Sequence, residues 1–157
     1  MRHRFVTLPT GDYTVIAIAA SDSPTVTKNI TGGNIGASTR MALQTTTSSL
    51  KFVSASSGST GAALTRTADS NPHICIGTRS GTALEVIQDG GTNIATGSDA
   101  SNASLTVVDW GRGGTGTNVY DGRMGQIMYF NRKLSHSELN SVCAALGTKW
   151  GITWTNL

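Results

Sequence analysis

The sequence predicts an all-β protein, a two-sheet β-sandwich with one short C-terminal α-helix. Three observations carry that expectation. Short apolar or alternating runs recur about every ten residues, each closed by Gly, Asn, Asp or Ser, which is the punctuation of strands and turns. Ser, Thr, Gly and Asn supply 68 of the 157 residues, whereas charged residues are 13 % and glutamate occurs only twice. A helical bundle, whose surface needs Glu, Lys and Arg, is excluded by that composition. One segment near the C-terminus breaks the pattern with helical spacing and a start signal of its own. Apolar residues reach 38 % and recur throughout, which argues against a long disordered tail. No run approaches the roughly 20 apolar residues of a membrane helix. The length suits a single domain, 1–157, that buries a core without disulfides or metals.

Taken in order, residues 5–8 (FVTL) form the first strand, and Pro9-Thr10-Gly11-Asp12 turns the chain. Residues 13–20 (YTVIAIAA) are almost continuously apolar, so this strand is expected at the centre with both faces covered. Residues 40–46 and 50–54 alternate more, like strands with one wet face. Residues 60–67 and 72–78 follow, separated by a turn at Asp69-Ser70-Asn71. The clearest hairpin runs from 83–88 (ALEVIQ) through Asp89-Gly90 and back along 92–96, because Asp-Gly suits the left-handed φ values of a tight turn. Residues 104–110 (SLTVVDW) make another strand, and a glycine-laden loop at 111–121 leads to 123–131 (RMGQIMYFN). Strands at this spacing mark a β-sandwich or jelly roll.

The helix is announced by Ser135-His136-Ser137-Glu138, a capping box in which the Ser hydroxyl accepts from the Glu138 amide and the carboxylate reaches back. Leu134 and Leu139 stand at the positions of a hydrophobic staple, and Leu139, Val142, Cys143 and Leu146 trace one apolar face. Gly147 is placed to stop the helix, and residues 150–154 (WGITW) return to strand-like composition.

Charge and cysteine add small constraints. The net charge is +3, and the one basic cluster is Arg2-His3-Arg4. Phosphate tracking needs several cations on one face, so no nucleic-acid partner is expected. No unbroken apolar stretch follows that cluster, so no secretory signal is read and folding in a cytoplasm is expected. Cys75 and Cys143 lack metal-ligand spacing and sit in apolar settings, which predicts buried free thiols.

Residues 82–152, read as a unit, show an ordered set of motifs: VIQDG at 86–90, DGRMGQI at 121–127, YFNRKLS at 129–135, then a short helix and KWGI at 149–152. This order resembles the C-terminal part of concanavalin A-like jelly rolls of the laminin-G-like type, and the closing KWGI is similar to versions in bacteriophage particle proteins. The resemblance implies a concanavalin A-like jelly roll. It implies a non-enzymatic bacteriophage structural protein, a capsid decoration or other subunit on the virion surface, made in the host cytoplasm. The partners it implies are the major capsid protein and further copies of the chain in a homo-oligomer, without membrane insertion. An edge strand supplied by a neighbouring subunit fits the short stretch before the central strand. The alternative is a glycan-binding module of a tail, fibre or adhesin, with a surface glycan as partner.

The chemistry of the residues sorts these readings. Hydrolysis of a glycoside needs paired carboxyl groups, yet Glu138 is explained by its cap and Glu85 has only the turn residue Asp89 nearby in sequence. No enzyme and no cofactor are predicted. Calcium is the one ion that laminin-G-like loops would admit through their oxygen ligands, and no close acidic pair supports it. A sugar site combines an aromatic face with amide, carboxylate or guanidinium groups on loops. Asp109, Trp110, Arg112, Asn118, Tyr120 and Asp121, around the glycine-laden loop, offer that mixture and are the candidate ligand-binding residues. Against this, Trp110 can cap the core and the glycines can simply make the turn. Trp150 and Trp154 read as core or interface rather than ligand platforms. A surface of short Ser, Thr, Gly and Asn side chains loses little conformational entropy on assembly, which permits the virion reading without selecting it.

Overall fold

The alternation of short strands and polar turns produces, among the described residues, eleven strands and one helix. They are β1 (Phe5–Leu8), β2 (Tyr13–Ser21), β3 (Lys28–Ile35), β4 (Thr39–Thr45), β5 (Ser49–Ser56), β6 (Ala62–Thr65), β7 (His73–Ser80), β8 (Ala83–Gln88), β9 (Ile94–Ser98), β10 (Leu105–Trp110), β11 (Gly122–Phe130) and α1 (His136–Trp150). The structure, a computed structural model, describes residues 5–8, 11–23, 25–35, 39–56, 61–67, 69–100, 105–111 and 119–157. The side chains of 5–8, 33–35, 39–40, 54–56 and 105–109 fall outside that description, as does the basic cluster at 2–4.

Two antiparallel sheets stack, one ordered β1-β10-β3-β4-β5-β6 and the other β11-β2-β7-β8-β9. Their shared core takes Tyr13, Val15, Ala17 and Ala19 from β2 against Ile30, Met41, Leu43, Leu50 and Phe52 from the facing sheet. Phe52 is fully buried, its ring lies where any β-carbon on Gly77 would be, and Tyr13 meets it edge-on with centroids 6.0 Å apart. The alternate side chains of the second sheet, Ile16, Ile18, Ile74, Ile76 and Ile87, point outward into a second apolar layer. Leu134, Leu139, Cys143 and Leu146 close that layer from the helix side. Strand β2 is therefore buried along its whole length on both faces, as its continuous apolar run predicts.

The helix begins where the sequence places it. Ser135 caps it with both bonds of the capping box, and Leu134 and Leu139 are buried as a staple. Thr14, itself fully buried in β2, fixes the approach: its hydroxyl donates to the Arg132 carbonyl at 3.0 Å and accepts from the Leu134 amide at 2.9 Å. Arg132 grips the Glu138 carboxylate at 2.8 and 2.6 Å and, with the Ser135 amide and hydroxyl, holds its pKa down to about 2.

Three expectations are corrected. Helix α1 does not stop at Gly147 but runs on to Trp150, with Gly151 as the left-handed cap at φ 68°. Gly147 is needed for a different reason: its carbonyl accepts from the Ile152 amide at 2.9 Å, and a β-carbon there would lie 2.5 Å from the Ile152 carbonyl oxygen. Residues 150–154 form no strand. Trp150 belongs to the helix, and the tail only bridges Gly90 through Thr155. Strand β3 is one that the apolar pattern does not announce, since Lys28–Ile35 (KNITGGNI) reads as turn chemistry. It lies between β10 and β4 because Ile30 and Thr31 are fully buried, and Thr31 shares a hydrogen bond with the Tyr129 hydroxyl of the opposite sheet.

Both thiols are buried and free, Cys75 between the sheets and Cys143 beneath the helix, and burial pushes each up to about 12. Neither should react with a disulfide reagent at neutral pH until the protein unfolds, when both should titrate together. Phe52→Ala should lower the unfolding free energy in urea by about 3–5 kcal/mol, with the native fold retained by circular dichroism.

Candidate functional site

Strand directions bring the β2–β3, β4–β5, β6–β7, β8–β9 and β10–β11 connections to one end of the sandwich. Polar atoms left without a partner collect there. Ser21 Oγ, Asn29 Oδ1, Thr45 Oγ1, Gln88 Oε1 and Arg66 Nε and Nη2 are all buried without a hydrogen bond, and each belongs to a strand end or loop at this end. Exposed apolar side chains collect there as well. Val26, Val119, Met124 and Trp150 are 37–54 % exposed. A fold gives up local satisfaction of this kind mainly where it binds something.

The predicted ligand residues divide between the described and undescribed parts of this end. Arg112 and Asn118 lie outside the described residues, and of Asp109 only the backbone, in β10, is described. Trp110 ends β10 half-buried. Gly111, at φ 69°, donates to the Ile30 carbonyl at 2.8 Å and accepts from the Tyr120 amide at 2.6 Å, so the two ends of the glycine-laden loop are clasped together. Tyr120 packs its ring against the inter-sheet core, and burial raises its hydroxyl pKa. Asp121 is exposed. Its carboxylate accepts from Ser23 Oγ at 2.7 Å, and its carbonyl accepts from the Asp22 amide at 2.9 Å.

Beside these loops lies a depression of about 250 Å³. Its floor is Ile18, Ala19 and Ala20 of β2, and its walls are Pro72, Arg123, Met124, Gly125 and Trp150. Gly125 makes it. The β11–β2 register slips between Met124 and Gln126, so Gly125 is the extra residue of a bulge. A β-carbon on Gly125 would sit 2.8 Å from the Trp150 six-membered ring. Because α1 continues to Trp150, the indole reaches the strand and forms a wall of the depression rather than entering the core. Arg123 is 74 % exposed, with Nε 3.9 Å from Asp22 Oδ1. Lys149 holds its ammonium 5.3 Å from the Trp150 ring centroid and donates to Gln126 Oε1 at 3.0 Å. A Trp in the last helical turn followed by Gly is the one sequence signal for this site.

A charged clamp ties two of the loops together. His73 Nδ1 lies 2.6 Å from Asp89 Oδ2 and Nε2 lies 2.8 Å from Asp69 Oδ1, while Asp89 Oδ1 accepts from the Ile74 amide at 2.8 Å. Burial favours the neutral imidazole, but the hydrogen bonds and charges of Asp89 and Asp69 outweigh it and raise the His73 pKa. Both glutamates have structural partners. Glu138 serves the helix cap, and Glu85 is buried against Lys133 at 3.5 Å and His136 at 3.1 Å. Among the described residues no group of three His, Cys, Asp or Glu side chains could hold a metal ion.

No protein-family model and no curated protein matches the sequence. Solved structures do match. The CBM40 of the Ruminococcus gnavus IT-sialidase, bound to alpha2,3 sialyllactose, gives a TM-score of 0.68 at 15 % identity over 85 % of this chain and 83 % of that one. The mouse laminin alpha1 chain, domains LG4-5, gives 0.58 at 13 % identity over 86 % of this chain and 44 % of that one. The chain is a concanavalin A-like jelly roll. A further jelly-roll match is a botulinum neurotoxin type C structure concerned with cell entry through two ganglioside molecules. It has a TM-score of 0.65 at 9 % identity and covers 87 % of this chain and 36 % of that one.

The clamp has a measurable sign. With the folded His73 pKa above the unfolded value of 6.5, its contribution to stability is complete below pH 6.5 and is lost as pH rises through the raised value. Urea midpoints should therefore fall as pH rises from 6.5 through the raised value. His73→Gln should flatten that part of the profile.

Proposed function

We propose that this jelly roll is a non-catalytic glycan-binding module and that the depression beside Trp150 receives the sugar. The observation that carries this is the indole: a 37 % exposed Trp, seated on a bulge glycine, beside a recess with an apolar floor. Sugars present C–H faces that pack on aromatic rings, and their hydroxyls need nearby polar groups. Arg123 supplies such a group in the lining, and the paired Lys149 and Gln126 are the direct sequence neighbours of Trp150 and Gly125. The volume of about 250 Å³ is below the roughly 300–1,000 Å³ of drug-sized sites, which suits one ring with the rest of a chain in solvent. The matches to a sialidase CBM40 with bound sialyllactose and to a toxin concerned with gangliosides support glycan binding over capsid decoration. The closing KWGI at 149–152, which resembles versions in phage particle proteins, is compatible with a module that attaches a virion to a glycan-bearing host.

A screen of the full chain on immobilised glycans tests the proposal directly. Binding to a defined set of sugars is expected, and no binding across the set overturns it. Trp150→Ala should remove the signal at an unchanged melting temperature. Trp110→Ala should leave it in place if the depression, rather than the glycine-laden loop, is the site.

A further inference from the structure

We infer that the sugar taken by this depression is an acidic one, its anionic group held by Arg123; the inference rests on the glycan-binding reading. The electrostatics of the recess support it. Among the described residues Arg123 is the one charged side chain that lines it, and none of the described carboxylates does so. Among the described residues only Asp22 pairs with that guanidinium, through Nε and at 3.9 Å, with both groups mostly in water. Such a pair is weak and leaves the two Nη groups, the half of the guanidinium fork best suited to an oxyanion, turned to other use.

The second cation is Lys149, whose ammonium stands over the Trp150 ring. It also counters the negative end of α1, which would otherwise repel an anion so close to the last helical turn. The recess thus has one cation in its lining, Arg123, and a second beside the indole that forms its wall. A neutral sugar would meet Arg123 through hydroxyls alone, by hydrogen bonds without charge pairing. A carboxylate or a sulfate on the ring would engage the Nη groups of Arg123 by charge-assisted hydrogen bonds, and both anions share that chemistry.

Calorimetric titration of the full chain with sialyllactose, lactose 3′-sulfate and lactose tests the inference. At least one acidic sugar should bind about tenfold or more tightly than lactose, the margin expected for a charge-assisted pair at a partly exposed site. That preference should weaken as salt is added. Arg123→Gln should bring the acidic sugar down to the lactose level, whereas Arg123→Lys should keep part of the preference. Which acidic sugar binds identifies the anion. Lactose binding as well as both acidic sugars, or an unchanged preference in Arg123→Gln, overturns the acidic-sugar inference and leaves glycan binding standing. Failure of every glycan in the wider screen overturns the glycan reading itself.

Discussion

The constraint on which the rest of the structure depends is the burial of β2 on both faces. A strand with one wet face needs only a partner sheet, but Tyr13–Ser21 puts apolar side chains on both sides and so requires two covers. The facing sheet is one, and α1 is the other. The helix has to lie across the outer face of β2, β7 and β8, and Thr14 sets where it enters. Its length then decides where it ends, which is how Trp150 comes to rest on the edge strand. The recess beside Trp150 is thus a by-product of closing the second apolar layer.

Much of the fold was legible because it was written in side chains. The apolar run of β2, the Asp-Gly hairpin and the capping box are local patterns with local causes, and each stands where the residues place it. Strand β3 was not legible because its Gly32 and Gly33 have no side chains to alternate. Its place is decided by long-range pairing with β10 and β4, which no local pattern reports. Gly147 misled for a related reason. A glycine near a helix end reads as a stop, whereas this one gives the returning chain room to pass close at Ile152.

The site was legible only in its general location. The two described ends of the glycine-laden loop, Gly111 and Tyr120, lie at the end where unpartnered polar atoms and exposed apolar groups collect, so composition drew attention to that end of the sandwich. It gave no sign of the recess lined by Trp150. Tyr120 has a core neighbour to pack on, whereas Trp150 is carried past the core by three extra helical residues. Arg123 and Pro72 are far apart in sequence and meet only through the β2 neighbourhood, so no motif could join them.

The bulge at Gly125 has a second effect, on association. Among the described residues β11 is an outer strand of its sheet, and a long straight outer strand offers a ladder of free amides and carbonyls to any passing chain. The extra residue breaks the spacing of that ladder partway along. The indole of Trp150 then lies across the break. The same glycine that shapes the recess therefore makes this rim a poor template for strand addition.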